Sequence, residues 1–147
     1  MRNQSSVCVP ILRALPGSFG IEQAILDYER EIEQLPTFLA RSGGSVTGFL
    51  SLKQHNPFSS EIYVMAVRPE AQRIGMGRTL VQAAETHALK LGMEYLQVKT
   101  LGPSRMDKGY AGTREFYGAL GFRPLEEFRK IWDEQNPCLI LVKRLGF

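Results

Sequence analysis

The sequence predicts an α/β fold of the α+β kind, with a mixed, mostly antiparallel central sheet, one parallel strand pair and helices on both faces. Three observations point there. The segment from Glu61 to Leu101 reads as strand, loop, helix, strand, which is the length of a right-handed crossover between parallel strands. The stretches on either side of it read as hairpins, whose strands run antiparallel. Two apolar stripes at helical spacing are available to cover the sheet.

In chain order, residues 7–15 read as a first strand closed by Pro16-Gly17. Residues 20–34 read as a helix, because Ile21, Ile25, Tyr28, Ile32 and Leu35 recur at steps of four and three and form one stripe. Thr37–Arg41 and Val46–Lys53 flank Ser42-Gly43-Gly44-Ser45, and paired glycines that tolerate positive φ mark a hairpin turn. A polar loop, residues 54–60, carries His55 and leads into the strand Glu61–Val67, which Pro69 stops. Gly75 to Leu91 reads as a helix with Leu80, Ala84, Ala88 and Leu91 on one side and Gly92 as its terminating glycine. Tyr95–Leu101 reads as a strand, residues 102–110 as polar and irregular, and Thr113–Leu120 as a short helix ending at Gly121. Two last strands fit near Glu127–Trp132 and Cys138–Arg144, with Asn136-Pro137 as their turn. No repeat or break in composition interrupts the chain, so residues 1–147 are expected to form one domain.

Bulk properties exclude several classes. A chain that is 44% hydrophobic and 22% charged is neither disordered nor fibrous. The net charge of +3 comes from dispersed Lys and Arg rather than a run or patch, which argues against nucleic acid as a partner. Cys8 and Cys138 are far apart and no CxxC spacing exists, so no metal site is expected; two lone thiols fit a reducing cytoplasm, with one long-range disulfide as the alternative. No leader-like apolar segment follows Met1, and no apolar run approaches the ~20 residues of a membrane span.

The chemistry is carried by Gln72-Arg73-Ile74-Gly75-Met76-Gly77-Arg78, between a strand and an amphipathic helix. The first turn of a helix offers unpaired N–H groups and the positive end of the helix dipole. Glycine at 75 and 77 removes side chains that would keep a phosphate from the backbone, and Arg73 and Arg78 add positive charge. The bland alternative is a glycine-rich turn and nothing more. Two rival phosphate motifs fit worse: no Lys follows Gly77, as a P-loop requires, and Leu80 stands where a dinucleotide fingerprint has its third glycine.

Residues 61–78 resemble the central motif of the GNAT superfamily of N-acetyltransferases: a strand, a bend, [Q/R]-x-x-G-x-[G/A], and a helix. Gln72, Gly75 and Gly77 fill that pattern. Downstream, Phe116-Tyr117-Gly118-Ala119-Leu120-Gly121-Phe122 resembles the family's F-Y-x-x-x-G-F helix. The two motifs stand in the family's order and cover roughly residues 61–123. The resemblance implies a sheet whose parallel pair, Glu61–Val67 and Tyr95–Leu101, splays to admit acetyl-CoA. It implies backbone pairing of Met65, Ala66 and Val67 with the pantetheine arm, and amides of Arg73, Ile74, Gly75, Met76, Gly77 and Arg78, beside Gln72, on the pyrophosphate. An amide near Met65 or Ala66 would stabilise the oxyanion of a tetrahedral intermediate.

The same resemblance implies transfer of an acetyl group to a primary amine on a small molecule or peptide, in a family whose members often dimerise; the two lone thiols are what make the expected compartment cytoplasmic. Tyr117 matches the family tyrosine beside the CoA sulfur and is the candidate acid; the bland alternative is a core aromatic. Glu61, at the strand start, is the candidate base, acting directly or through water; solvent is the rival base, and the bland alternative is a solvated carboxylate. His55 could face the acceptor, although a lone loop histidine is more often solvated, and His87 reads as structural or exposed. Two departures stand out. Tyr110 occupies the place of an asparagine that touches CoA in many members, and one helix replaces the usual pair before the first hairpin. The function from another class is a CoA-binding sensor or interaction module without catalysis.

Overall fold

The computed structural model describes residues 2–17, 19–72 and 74–146. Its element order is α1 (Ser5–Arg13), α2 (Glu22–Gln34), β1 (Thr37–Ser42), β2 (Ser45–Gln54), β3 (Ser59–Val67), α3 (Met76–Lys90), β4 (Tyr95–Leu101), α4 (Lys108–Ala119), β5 (Arg123–Asp133) and β6 (Asn136–Arg144). The sheet is mostly antiparallel with one parallel pair, and its strand order is β1-β2-β3-β4-β6-β5. The chain packs as two units, Met1–Lys53 with Ile62–His87 and Gln54–Glu61 with Ala88–Phe147.

In the first unit, the expected strand over residues 7–15 is instead the helix α1. Ser5, Cys8, Ile11 and Leu12 are its buried residues, a helical rather than an alternating spacing. Pro10 hides this in the sequence, but it lies on the exposed face. Two helices therefore precede the first hairpin, not one. They are tied by Ser5 Oγ donating to Glu33 Oε2 at 3.0 Å and by the Arg13–Glu22 ion pair at 2.6 Å. Within α2, Ile25 and Ile32 are buried as the stripe requires, whereas Ile21 stands at the cap and is 71% exposed.

Cys8, Ile11, Leu12 and Ile32 pack with Phe49, and Leu39 leans on the same cluster. In the β1–β2 register Leu39 faces Phe49, while the next pair, Phe38 and Leu50, must point the other way. There Phe38 meets His87 of α3 edge-on at 5.5 Å, which makes His87 structural. The α1–α2 pair and α3 thus cover opposite faces of one hairpin.

In the second unit, β6 pairs antiparallel with both β4 and β5. Ser59–Glu61, the part of β3 that belongs here, lies along β4: Gln97 Nε2 donates to Ser59 Oγ at 3.0 Å, and the Tyr95 amide donates to Phe58 O at 3.0 Å. The β5–β6 turn falls at Glu134–Gln135, and Asn136-Pro137 already belong to β6, which corrects the expected turn. Asp133 Oδ1 accepts from the Asn136 amide at 2.9 Å and closes the hairpin one step earlier.

The helix α3 ends as expected at Gly92, with φ +81, where the Met93 amide donates to Ala88 O at 3.0 Å. Met93 is the buried residue beyond the helix, and Leu91 is 54% exposed instead of facing the core. Cys8 and Cys138 are both buried and free. Among the described residues no helix is long and apolar enough to cross a membrane.

Candidate acyl-CoA site

In the first unit β3 delivers Met65, Ala66 and Val67 to the mouth of the loop, with the Ala66 side chain 5% exposed in the core. A single 3-10 turn over Pro69–Ala71 follows, and Gln72 Nε2 reaches back to Val67 O at 3.0 Å. The Gln72 side chain thus braces the bend against the strand end. Arg73 lies outside the described residues. Ile74 is 65% exposed and Arg78 is exposed.

Gly75 has φ +82 with nothing near the position of a Cβ, so backbone conformation rather than space calls for glycine there. Among the described residues the Thr79 amide makes the first helical bond, to Gly75 O at 3.1 Å, and Thr79 Oγ1 reinforces it at 3.0 Å. The amides of Met76, Gly77 and Arg78 precede that ladder and are the donors a helix start leaves for a ligand. Thr47 Oγ1 donates to the Met76 sulfur at 3.1 Å and pins this helix start to β2. The chemistry of the loop therefore fits a phosphate.

The same unit has a cavity of about 430 Å³ lined by Asp27, Arg30, Glu31, Gln34 and Tyr63. Its carboxylates are paired, Asp27 with Arg30 and Glu31 with Lys53.

In the second unit α4 starts at Lys108, five residues earlier than expected, because Asp107 caps it by accepting from the Tyr110 amide at 3.1 Å. Tyr110 is therefore helical, not in an irregular segment. Seven residues are close to two turns, so Tyr110 and Tyr117 share a face about 10 Å apart along the axis. Arg114 Nη1 donates to Leu101 O at 2.7 Å and ties α4 to the end of β4.

Tyr117 is 5% exposed and stacks edge-on with Phe116 at 5.1 Å and with Phe122 at 5.4 Å. Burial pushes its phenol well above the ordinary tyrosine range. The G-F of the motif has a local cause: Gly121 at φ +98 ends the helix, and the Phe122 amide donates to Tyr117 O at 3.0 Å. Tyr117 thus serves helix termination as well as any chemistry.

Glu61 departs from the solvated carboxylate weighed above. It is 4% exposed, and Lys99 Nζ lies 3.2 and 3.3 Å from its two oxygens. His55 is not merely solvated either: its Nε2 lies 2.7 Å from Glu61 Oε1. Sequence reasoning passed over Lys99 altogether. Its signal was a cation inside the strand Tyr95–Leu101, on the half-buried face it shares with Gln97, where a partner from the next strand can reach it. Cys138 on β6 is close enough to feel both charges; its thiol is raised, chiefly by burial. Among the described residues no group of three or more His, Cys, Asp or Glu gathers as metal ligands.

Comparison with known proteins agrees with this geometry. Residues 11–122 match the family described as acetyltransferase (GNAT) family. A curated relative, the mycothiol acetyltransferase of Streptomyces bingchenggensis (strain BCW-1), is 42% identical over 57 residues, 38% of this chain. The chain spans only 18% of that protein's length. Among solved structures, a GNAT-family protein from Desulfovibrio desulfuricans superposes with TM-score 0.79 at 18% identity, over 99% of this chain and 95% of that one. A GNAT acetyltransferase from Elizabethkingia anophelis, solved with acetyl-CoA bound, gives 0.69 at 19% identity over 86% and 84%. The aminoglycoside 6'-N-acetyltransferase from Enterococcus faecium gives 0.76 at 16% over 97% and 91%. At these identities the structures speak for the fold, while the family match spans most of the chain, both motifs included. The chain belongs to the acetyltransferase (GNAT) family.

Proposed function

We propose that this protein transfers an acetyl group from acetyl-CoA to a primary amine, and that residues 1–147 work as one domain. The observation that carries the reading is the junction of loop and α3, where Gly75 at φ +82 presents the Met76, Gly77 and Arg78 amides. The family match from residue 11 to 122 runs through both packing units and supports a single domain. Pyrophosphate rests on the loop from Gln72 to Arg78, and pantetheine pairs with the backbone of Met65, Ala66 and Val67.

The acceptor arrives as an ammonium and loses a proton in the neighbourhood of Glu61. The free amine attacks the thioester carbonyl and gives a tetrahedral oxyanion, held by an amide near Met65 or Ala66. The C–S bond breaks and Tyr117 passes its phenolic proton to the departing thiolate, while the second proton that the attacking nitrogen sheds as the amide forms returns through solvent to the tyrosine oxygen. Burial disfavours the phenolate, so Tyr117 gives up its proton only as another replaces it. Two buried free thiols favour the cytoplasm as its compartment.

The test is thiol release from acetyl-CoA with spermidine, kanamycin, a free amino acid, a tetrapeptide with a free N-terminus and a blocked lysine peptide. The aminoglycoside arm follows the Enterococcus likeness. Release with at least one amine, and a product heavier by one acetyl group, is expected. Tight CoA binding without release on any amine would favour the non-catalytic module instead.

A further inference from the structure

The cluster His55–Glu61–Lys99 goes beyond the expected lone carboxylate, and access separates its members. Glu61 is shut from water; both its oxygens are within hydrogen-bonding distance of Lys99, and Oε1 also of His55. A base must come within hydrogen-bond reach of the proton it takes, directly or through one water. Glu61 has little free surface with which to do so. The His55 side chain is 34% exposed. An ionised carboxylate only accepts hydrogen bonds, so Nε2 carries the hydrogen that points at Glu61. In the neutral ring Nδ1 is then left with its lone pair, and among the described residues no hydrogen bond is made to it.

We infer that His55 Nδ1, rather than Glu61, takes the proton from the acceptor amine, and that Glu61 is the positioning residue that fixes the tautomer and orientation of the ring. The inference rests on the acyl-transfer reading above. In the step, the N–H bond of the ammonium breaks, its electron pair stays on nitrogen, and the proton moves to Nδ1. The imidazolium so formed faces the Glu61 carboxylate at 2.7 Å, as in other carboxylate–histidine pairs. Lys99 balances the carboxylate while the ring is neutral. The proton then leaves to solvent over the exposed edge of the ring. His55 is itself held by its loop: its amide donates to Ser59 O at 3.0 Å, and Asn56 Oδ1 accepts from the Phe58 and Ser59 amides. Among the described residues, the charged and titratable groups facing Glu61 are His55 from the loop, Lys99 from β4 and Cys138 from β6.

The experiment compares the full chain with His55→Gln, His55→Asn and Glu61→Gln, using the amine of the panel with the fastest thiol release. Glutamine keeps a donor for Glu61 but cannot act as a base. Both His55 variants are expected to lose about 100-fold in kcat, the lower end of general-base effects, with the KM for acetyl-CoA unchanged. They should also lose the acid limb of the pH profile and recover part of their turnover in added imidazole, a rescue that a purely structural role does not give. Glu61→Gln should fall less than the histidine variants. Normal turnover in folded His55→Gln, or a far larger loss in Glu61→Gln than in both histidine variants, overturns the assignment and returns the base to Glu61. No release by the unaltered chain on any amine would instead sink the acyl-transfer reading, and the base with it.

Discussion

Gly48→Ala tests how tightly β2 holds the strand that leads into the loop. A Cβ at residue 48 would lie 3.2 Å from Val67 Cγ2, 3.4 Å from Ala66 O and 3.4 Å from Leu80 Cδ1. Carbon pairs rest at about 3.5–4.0 Å, so the methyl group overlaps Val67 by a few tenths of an ångström. None of the three neighbours swings away easily: Val67 is β-branched, Ala66 presents backbone, and Leu80 is 2% exposed. Overpacking of this kind costs about 1–3 kcal/mol. Alanine recovers about 0.4–1 kcal/mol by restricting the unfolded chain.

The net loss is then about 1–2 kcal/mol, or a Tm lower by about 2–8 °C for a domain of this size. Thermal unfolding followed by circular dichroism reads it directly. The same overlap pushes on Val67, whose carbonyl anchors Gln72, so the KM for acetyl-CoA should rise several-fold with kcat less affected. A Tm at or above that of the unaltered protein refutes the packing argument. A lowered Tm with an unchanged KM refutes the link from Gly48 to the loop.

Gly77→Glu should place a carboxylate among the Met76–Arg78 amides and abolish CoA binding by calorimetry; normal affinity in a folded variant would mean the pyrophosphate binds elsewhere. Tyr117→Phe should lower turnover while acetyl-CoA affinity stays within about twofold, because the ring and its packing against Phe122 remain; equal turnover removes the hydroxyl from the reaction. Burial raises the Cys8 thiol to about 12, so above the unfolded thiol value the unfolded chain ionises first and the folded chain does not. Stability is therefore full below about pH 8.5 and falls as pH rises towards 12, by up to about 1.4 kcal/mol per pH unit for this group. Urea melts at pH 8, 9.5 and 11 should show the fall, and Cys8→Ala should flatten it; a slope unchanged in Cys8→Ala assigns the effect to other groups.

What was legible in the sequence is what neighbouring residues settle among themselves. A helix ends where a glycine takes positive φ and the next residue folds back, and that is why Gly92 and Gly121 marked their helices correctly. The loop before α3 was legible for the same reason, since Gly75 and the helix start lie within a few residues of each other. The strand Tyr95–Leu101 matched to the residue, because its alternation and its bounds are local. The helix α1 was not legible: with Pro10 inside it and only nine residues, local preference argues against a helix, and burial of Cys8, Ile11 and Leu12 against Phe49 is what holds it. The start of α4 depended on one cap, Asp107, that the sequence reading passed over.

For the site, the sequence by itself determined the turn at Gly75 and the start of α3, because consecutive residues build them. It named Glu61 and Tyr117 but not their surroundings. The partners of Glu61 lie six residues away in a loop and 38 residues away on another strand, and no local pattern brings such groups together. Only tertiary packing buried Glu61, set Lys99 against it and aimed His55 at it. That burial is the physical reason the carboxylate is held by its neighbours, while the imidazole keeps part of its surface open to solvent.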